Sequence, residues 1–240
     1  MYKDTIGLVG GFGGFATLDF FRRLLETFGT GCERDYPRII MDNDFTMPSR
    51  TRALLYDEDI DVITEMIARS VKNLIISGAD KIVLVCGTAH WFLDGVYQLI
   101  PEAREKIVDI IDVTGACLNA EQVRNCYVIA AEGTMKKKLY DKRFESFGIS
   151  VSSPEERDWP RVREFLETVK QNRITDLARN DFMEFILDRT DDRYLNREGK
   201  ICALLGCTEL PLLTNDLART RICFIDPLEY TLDHLRKNLV

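Results

Sequence analysis

The sequence predicts an α/β protein of two pseudo-symmetric domains, each built on a parallel sheet, and three observations lead there. Short apolar runs alternate with longer amphipathic stretches along the whole chain, which is the rhythm of βαβ units. Runs such as "IVLV" at residues 82–85 lack the polar alternation of a half-exposed strand and suit strands covered on both faces. The pattern then starts again in the second half, with landmarks at a constant spacing. Aligning "IGLVGGFG" on "YVIAAEGT" pairs Gly13 with Thr134, and the same offset of 121 residues (207 − 86) pairs Cys86 with Cys207. Self-similarity at a fixed offset is the mark of a tandem duplication.

Taken in order, "TIGLVGG" reads as a strand ending in a glycine turn, and "FATLDFFRRLLETFG" as an amphipathic helix with a glycine stop. "RIIMDN" is a second strand, "DIDVITEMIARSVKNLIISG" a long helix, and "KIVLVC" a third strand before a helical region that runs into "PEAREKIVDIIDV". The second half repeats this with "NCYVIAAEGT" as strand and turn, "MKKKLYDKRFESFGI" as a helix, and "ISVSSP" as a short strand. Helices at "PRVREFLETV" and "DFMEFILDR" follow, and "KICALLGC" supplies a late strand. The division expected from this reading is a first domain of residues 1–116 with 225–240 and a second of 117–224.

Composition narrows the function. The net charge of −7 comes from 39 acidic and 32 basic residues with the signs interleaved, which argues against a nucleic-acid surface. The one dense basic run, "MKKKLYDKR", reads as a solvated helix face. No apolar run reaches the roughly 18 residues of a membrane span, and the opening "MYKDTIGLVGG" has no basic segment before a long apolar one, so a soluble, cytoplasmic protein with no membrane partner is expected. Seven cysteines, an odd number with no CxxC pair, predict neither a disulfide framework nor a metal site.

Two of those cysteines stand apart. Cys86 and Cys207 each close an apolar strand-like run, in "KIVLVCGTAHW" and "KICALLGCTELPLL". Ligands of open parallel sheets sit just beyond the carboxyl ends of the strands. Two equivalent strand ends facing each other would therefore turn both thiols into one interdomain cleft.

These residues resemble the cofactor-independent aspartate/glutamate racemases. "CGTAH" from Cys86 is similar to that family's first cysteine signature, with Gly87 where Asn is usual, and "GCTELP" from Gly206 is similar to the second without departure. "GLVGGFGGFATLDFF" resembles the N-terminal glycine turn, "MPSRT" the segment whose arginine binds a substrate carboxylate, "AAEGT" a Gly-Thr turn of the second domain, and "CFIDP" the return into the first. A lysine that the family carries after the "FMEF" helix has no counterpart there, where Arg189 and Arg193 stand instead.

The resemblance implies an amino-acid racemase for aspartate or glutamate that works without a cofactor, with no metal, and as a homodimer. Racemisation removes the Cα proton from one face and returns a proton to the other, so two bases are needed, one as thiolate and one as thiol. The catalytic pair implied is Cys86 and Cys207. Gly11, Gly13, Arg50, Gly87, Thr88, Thr134 and Thr208 are implied to bind the substrate, with His90 and Glu209 behind the two thiols. By the same resemblance, placing Asn at position 87 is expected to speed turnover of aspartate.

Two other readings fit parts of the chain. A racemase-like protein acting on another acidic α-carbon, or binding without turnover, accords with Gly87. "GFGGFA" from Gly11 also fits G-x-G-x-x-A, the dinucleotide fingerprint, with Asp42 or Asp44 at the end of the next strand. A nicotinamide enzyme, however, leaves the second Cys-Thr strand end unexplained.

Overall fold

The computed structural model describes residues 2–214 and 221–239. Along the first half run β1 (Ile6–Gly10), α1 (Gly14–Phe28), β2 (Ile39–Asn43), α2 (Arg50–Tyr56), α3 (Ile60–Ile76), β3 (Lys81–Leu84), α4 (Leu93–Leu99), α5 (Ala103–Lys106) and α6 (Ile110–Ala120). The second half has β4 (Asn125–Ile129), α7 (Glu132–Lys136), α8 (Leu139–Glu145), β5 (Ser150–Ser152), α9 (Trp159–Lys170), α10 (Asp176–Leu187), β6 (Ile201–Leu205), α11 (Pro211–Thr214), β7 (Ile222–Ile225) and α12 (Pro227–Asn238).

The strands form two parallel sheets, ordered β2-β1-β3 and β5-β4-β6-β7. All five residues of β1 and of β6 are buried, as their unbroken apolar runs require. Successive side chains of a strand point to opposite faces. Leu8 and Val83 accordingly join the core shared with α1, α6 and the second sheet, whereas Val9, Ile82 and Leu84 pack with α3. In α1 the buried residues Ala16, Phe20, Leu24 and Phe28 recur every fourth position and make one apolar stripe.

The helix ends are set by local chemistry. Ser49 caps α2 by accepting from Arg52 N, Asp109 caps α6 by accepting from Ile111 N and Asp112 N, and Asp226 before Pro227 caps α12 by accepting from Leu228 N. The helix expected from Met135 onward is instead two, α7 and α8, broken at Lys138 in the left-handed region (φ 51°). Its basic run is not simply solvated: Lys136 Nζ donates to Leu55 O at 2.6 Å and Lys137 Nζ to Asp57 Oδ1 at 2.7 Å. These contacts clasp α2 from the other half of the chain. The boundary expected at 116/117 falls inside α6, which packs against both α8 and α12. β7 closes the second sheet, and α12 then returns to lie on α6 and α1.

Candidate active site

The turns after β1, β3, β4 and β6 converge at the carboxyl ends of the two sheets. Cys86 lies two residues past the end of β3 and Cys207 two past the end of β6. Cys86 is 9% exposed and Cys207 half-buried.

Cross-domain contacts show that the two strand ends face each other. Thr88 and Thr134 share a hydroxyl–hydroxyl hydrogen bond of 2.8 Å. The 121-residue offset (207 − 86) carries Thr88 onto Glu209 and Thr134 onto Gly13, and the Glu209 carboxylate does pack against Gly13, where any Cβ would strike Oε1. A second pair obeys the same rule. A Cβ on Gly87 would lie 2.6 Å from Gly206 O, and the counterpart contact is Thr208 Oγ1 donating to Val85 O at 3.4 Å. Contacts that map onto one another in this way define a pseudo-twofold relation between the halves, with Cys86 and Cys207 as equivalent positions.

The thiols differ in their surroundings. Burial pushes the Cys86 thiol up; the Arg50 guanidinium pulls it back, Glu209 pushes it up, and the backbone N–H groups of Ala89 and Thr88 favour the thiolate. Burial pushes Cys207 well above its ordinary value, and the charge of Glu209 adds to this, as does the 3.0 Å hydrogen bond that Cys207 Sγ donates to Glu209 Oε2. Burial raises both thiols; beside Cys86 the Arg50 cation favours the thiolate, whereas at Cys207 the hydrogen-bonded Glu209 favours the thiol. Removing the Glu209 charge should reverse part of this. Glu209→Gln is expected to lower the Cys207 pKa and so speed alkylation of Cys207 at fixed pH by about threefold to tenfold, one unit being a tenfold change in thiolate below the pKa. Peptide-resolved iodoacetamide labelling checks it, and an unchanged Cys207 rate would remove Glu209 as the controlling group.

The remaining predicted residues fall as follows. Arg50, first residue of α2, donates from Nη2 to Phe12 O at 2.6 Å and from Nη1 to Pro48 O at 3.0 Å, and lies over the Phe12 ring. It forms no ion pair among the described residues, and its buried Nε has no partner. This is a cation held beside Cys86 with capacity for an anion. Gly11, at φ 81°, makes the turn that only glycine takes easily, its missing side chain admitting the Asp44 backbone. Gly13 precedes α1, whose first N–H groups no side chain caps; such an end holds a carboxylate. His90 touches the backbone of Cys86 and not its thiol. Ile110 N donates to Nε2 at 3.3 Å, so Nδ1 carries the proton and donates to Cys86 O at 2.9 Å.

One residue near the thiols was missed from the sequence. Lys170, the exposed last residue of α9, is drawn down by desolvation but held above its ordinary value by Glu167, which accepts its hydrogen bond, and by the neighbouring Glu209 and Cys207. It therefore stands within electrostatic reach of Cys207. Arg189 pairs with Asp158 and Arg193 with Asp191, so neither takes the place of the expected lysine. Lys170 looked in sequence like any basic residue in a last helical turn. A groove of about 1080 Å3 on another face, between Trp91, Tyr97 and Arg143, touches the site only through the back of His90 and holds neither thiol.

Comparison with known proteins bears on this geometry. The model of the family described as Asp/Glu/Hydantoin racemase matches residues 9–235. The structure of an aspartate racemase from Picrophilus torridus is similar at a TM-score of 0.80 and 25% identity, with 98% of this chain and 93% of that one covered. An aspartate racemase homologue from Pyrococcus horikoshii OT3 shares the fold at a TM-score of 0.74 and 22% identity, covering 98% and 100%. A glutamate racemase from Francisella tularensis subsp. tularensis, solved with D-glutamate, does so at 0.69 and 18%, covering 98% and 80%.

Proposed function

The chain belongs to the Asp/Glu/Hydantoin racemase family, and we propose that it interconverts the L and D forms of an acidic amino acid by proton transfer between Cys86 and Cys207, without a cofactor. The observation that carries the reading is the placing of two thiols on pseudo-equivalent strand ends, one beside Arg50 and the other bonded to Glu209.

In the forward direction the thiolate of one cysteine takes the Cα proton, and the pair of electrons left on Cα is delocalised into the α-carboxylate. The thiol of the other cysteine then gives its proton to the opposite face, so the charge ends on the second sulfur and the amino acid is inverted. The reverse reaction exchanges the roles. The N–H groups at the start of α1 and the hydroxyls of Thr88, Thr134 and Thr208 would meet the α-carboxylate as charge builds on it. Arg50 and Lys170 are the cations for the side-chain carboxylate.

Chiral chromatography of a panel of L- and D-amino acids, incubated with the purified protein, tests the reading. Racemisation of aspartate or glutamate, and not of alanine or leucine, is expected; inversion of none of them would overturn it. Arg50→Lys keeps the charge but loses the planar fork, and kcat/KM on the best substrate should fall about tenfold to a hundredfold. An unchanged kcat/KM would take Arg50 out of the site.

A further inference from the structure

The two-thiol reading requires a fixed gap between two sulfurs, and one side chain outside the predicted set lies against the backbone beside both. Tyr140, on α8, is 2% exposed. Its hydroxyl donates to Gly206 O at 3.3 Å. A Cβ on Gly87 would lie 3.0 Å from Tyr140 Oη, and a Cβ on Gly206 would lie 2.9 Å from Tyr140 Cε2. Gly87 follows Cys86 and Gly206 precedes Cys207. The absence of a side chain at each position therefore lets one tyrosine reach both strand ends, with its ring edge at Gly206 and its hydroxyl at Gly87.

The ring is itself held in place. It stands edge-on to Phe144, with centroids 5.6 Å apart and planes at 89°. Burial keeps its phenol well above the ordinary value, and Cys207 and Cys86 add to that. The hydroxyl thus stays a neutral donor at neutral pH.

We propose that Tyr140 is a positioning residue whose side chain is the spacer packed against both the Cys86 and the Cys207 strand ends, with its ring edge on Gly206 and its hydroxyl reaching Gly87 while bonded to the Gly206 carbonyl. The inference rests on the proposed pairing of the two thiols. Removing the ring leaves a void into which either strand end can relax, and transfer between groups about 1 Å out of place loses about a hundredfold.

The test measures thiol spacing apart from turnover. The full chain is treated with 1,3-dibromoacetone, a short reagent that alkylates two thiols, and bridged Cys86–Cys207 peptides are quantified by mass spectrometry beside kcat, KM and thermal melts. Tyr140→Phe keeps the ring and should bridge within about twofold of wild type, with kcat lowered about fivefold for the lost hydrogen bond. Tyr140→Leu and Tyr140→Ala remove the spacer. Bridging should fall about tenfold or more and kcat about a hundredfold, with KM changed less than about threefold. A folded Leu variant with wild-type bridging and kcat would overturn the proposal, and so would a Phe variant as impaired as the Leu variant. The Leu variant decides the matter if the Ala variant does not fold. A wild-type protein that is bridged but racemises nothing refutes the racemase reading, and the bridging yields still decide the spacer. Failure of wild type to bridge overturns the spacer proposal, while the racemase reading stands or falls on the chiral assay.

Discussion

Neither Cys86→Ser nor Cys207→Ser should racemise at a measurable rate, a loss of about a hundredfold to ten-thousandfold, the range in which removal of a positioned acid or base acts. The serine hydroxyl ionises far above a thiol. The ring nitrogens of His90 are engaged by Cys86 O and Ile110 N, and Glu209, which accepts from position 207, is a carboxylate and so far too weak a base to ionise an alcohol. Each single variant retains one working base. In heavy water it should exchange the α-proton of one enantiomer without inverting it, and the two variants should choose opposite enantiomers. For the wild type, solvent deuterium should enter the product enantiomer first while recovered substrate stays largely unlabelled at early times. Proton NMR of the α-position, read together with chiral chromatography, follows both. Substantial racemisation by either serine variant would mean that one thiol suffices or that neither is the base.

The parts of the molecule legible from sequence were those in which local pattern and tertiary role coincide. Fully buried β1 and β6 announced themselves as unbroken apolar runs, and the two cysteines as residues that end such runs. The repeat of 121 residues (207 − 86) paired the two cysteines, and the contacts across the two halves match at the same offset. What the sequence hid depended on distance in space. Lys170 lies 37 residues (207 − 170) before Cys207, and only the docking of α9 brings it near. The break at Lys138 was hidden because a lysine in the left-handed region has no signature. Tyr140 looked like one more core aromatic, since nothing in "KKKLYDKRF" says that its hydroxyl meets Gly206. Gly87 shows the same limit: in sequence it is a missing amide, and only in space is it also a close approach of two backbones.

That close approach reverses the expectation for position 87. Asn there should not speed turnover but lower it by about a hundredfold, the scale for misplacing reacting groups by about 1 Å. A Cβ built on Gly87 falls 2.6 Å from Gly206 O and 3.0 Å from Tyr140 Oη. The first neighbour is backbone and cannot rotate aside, so the strand end bearing Cys86 must move away from the one bearing Cys207. Overpacking of this kind also destabilises by about 1 to 3 kcal/mol, and a thermal melt separates that loss from the loss in kcat. Gly87→Ala isolates the cause. It adds only the Cβ, so it should account for most of the fall seen with Asn. If the amide itself were what the site lacks, the order would be inverted, with Asn faster than wild type and Ala slower. Turnover by Gly87→Asn equal to or above wild type on aspartate would show that the two strand ends can part without harm, and the tight contact at Gly206 would then have no bearing on the chemistry.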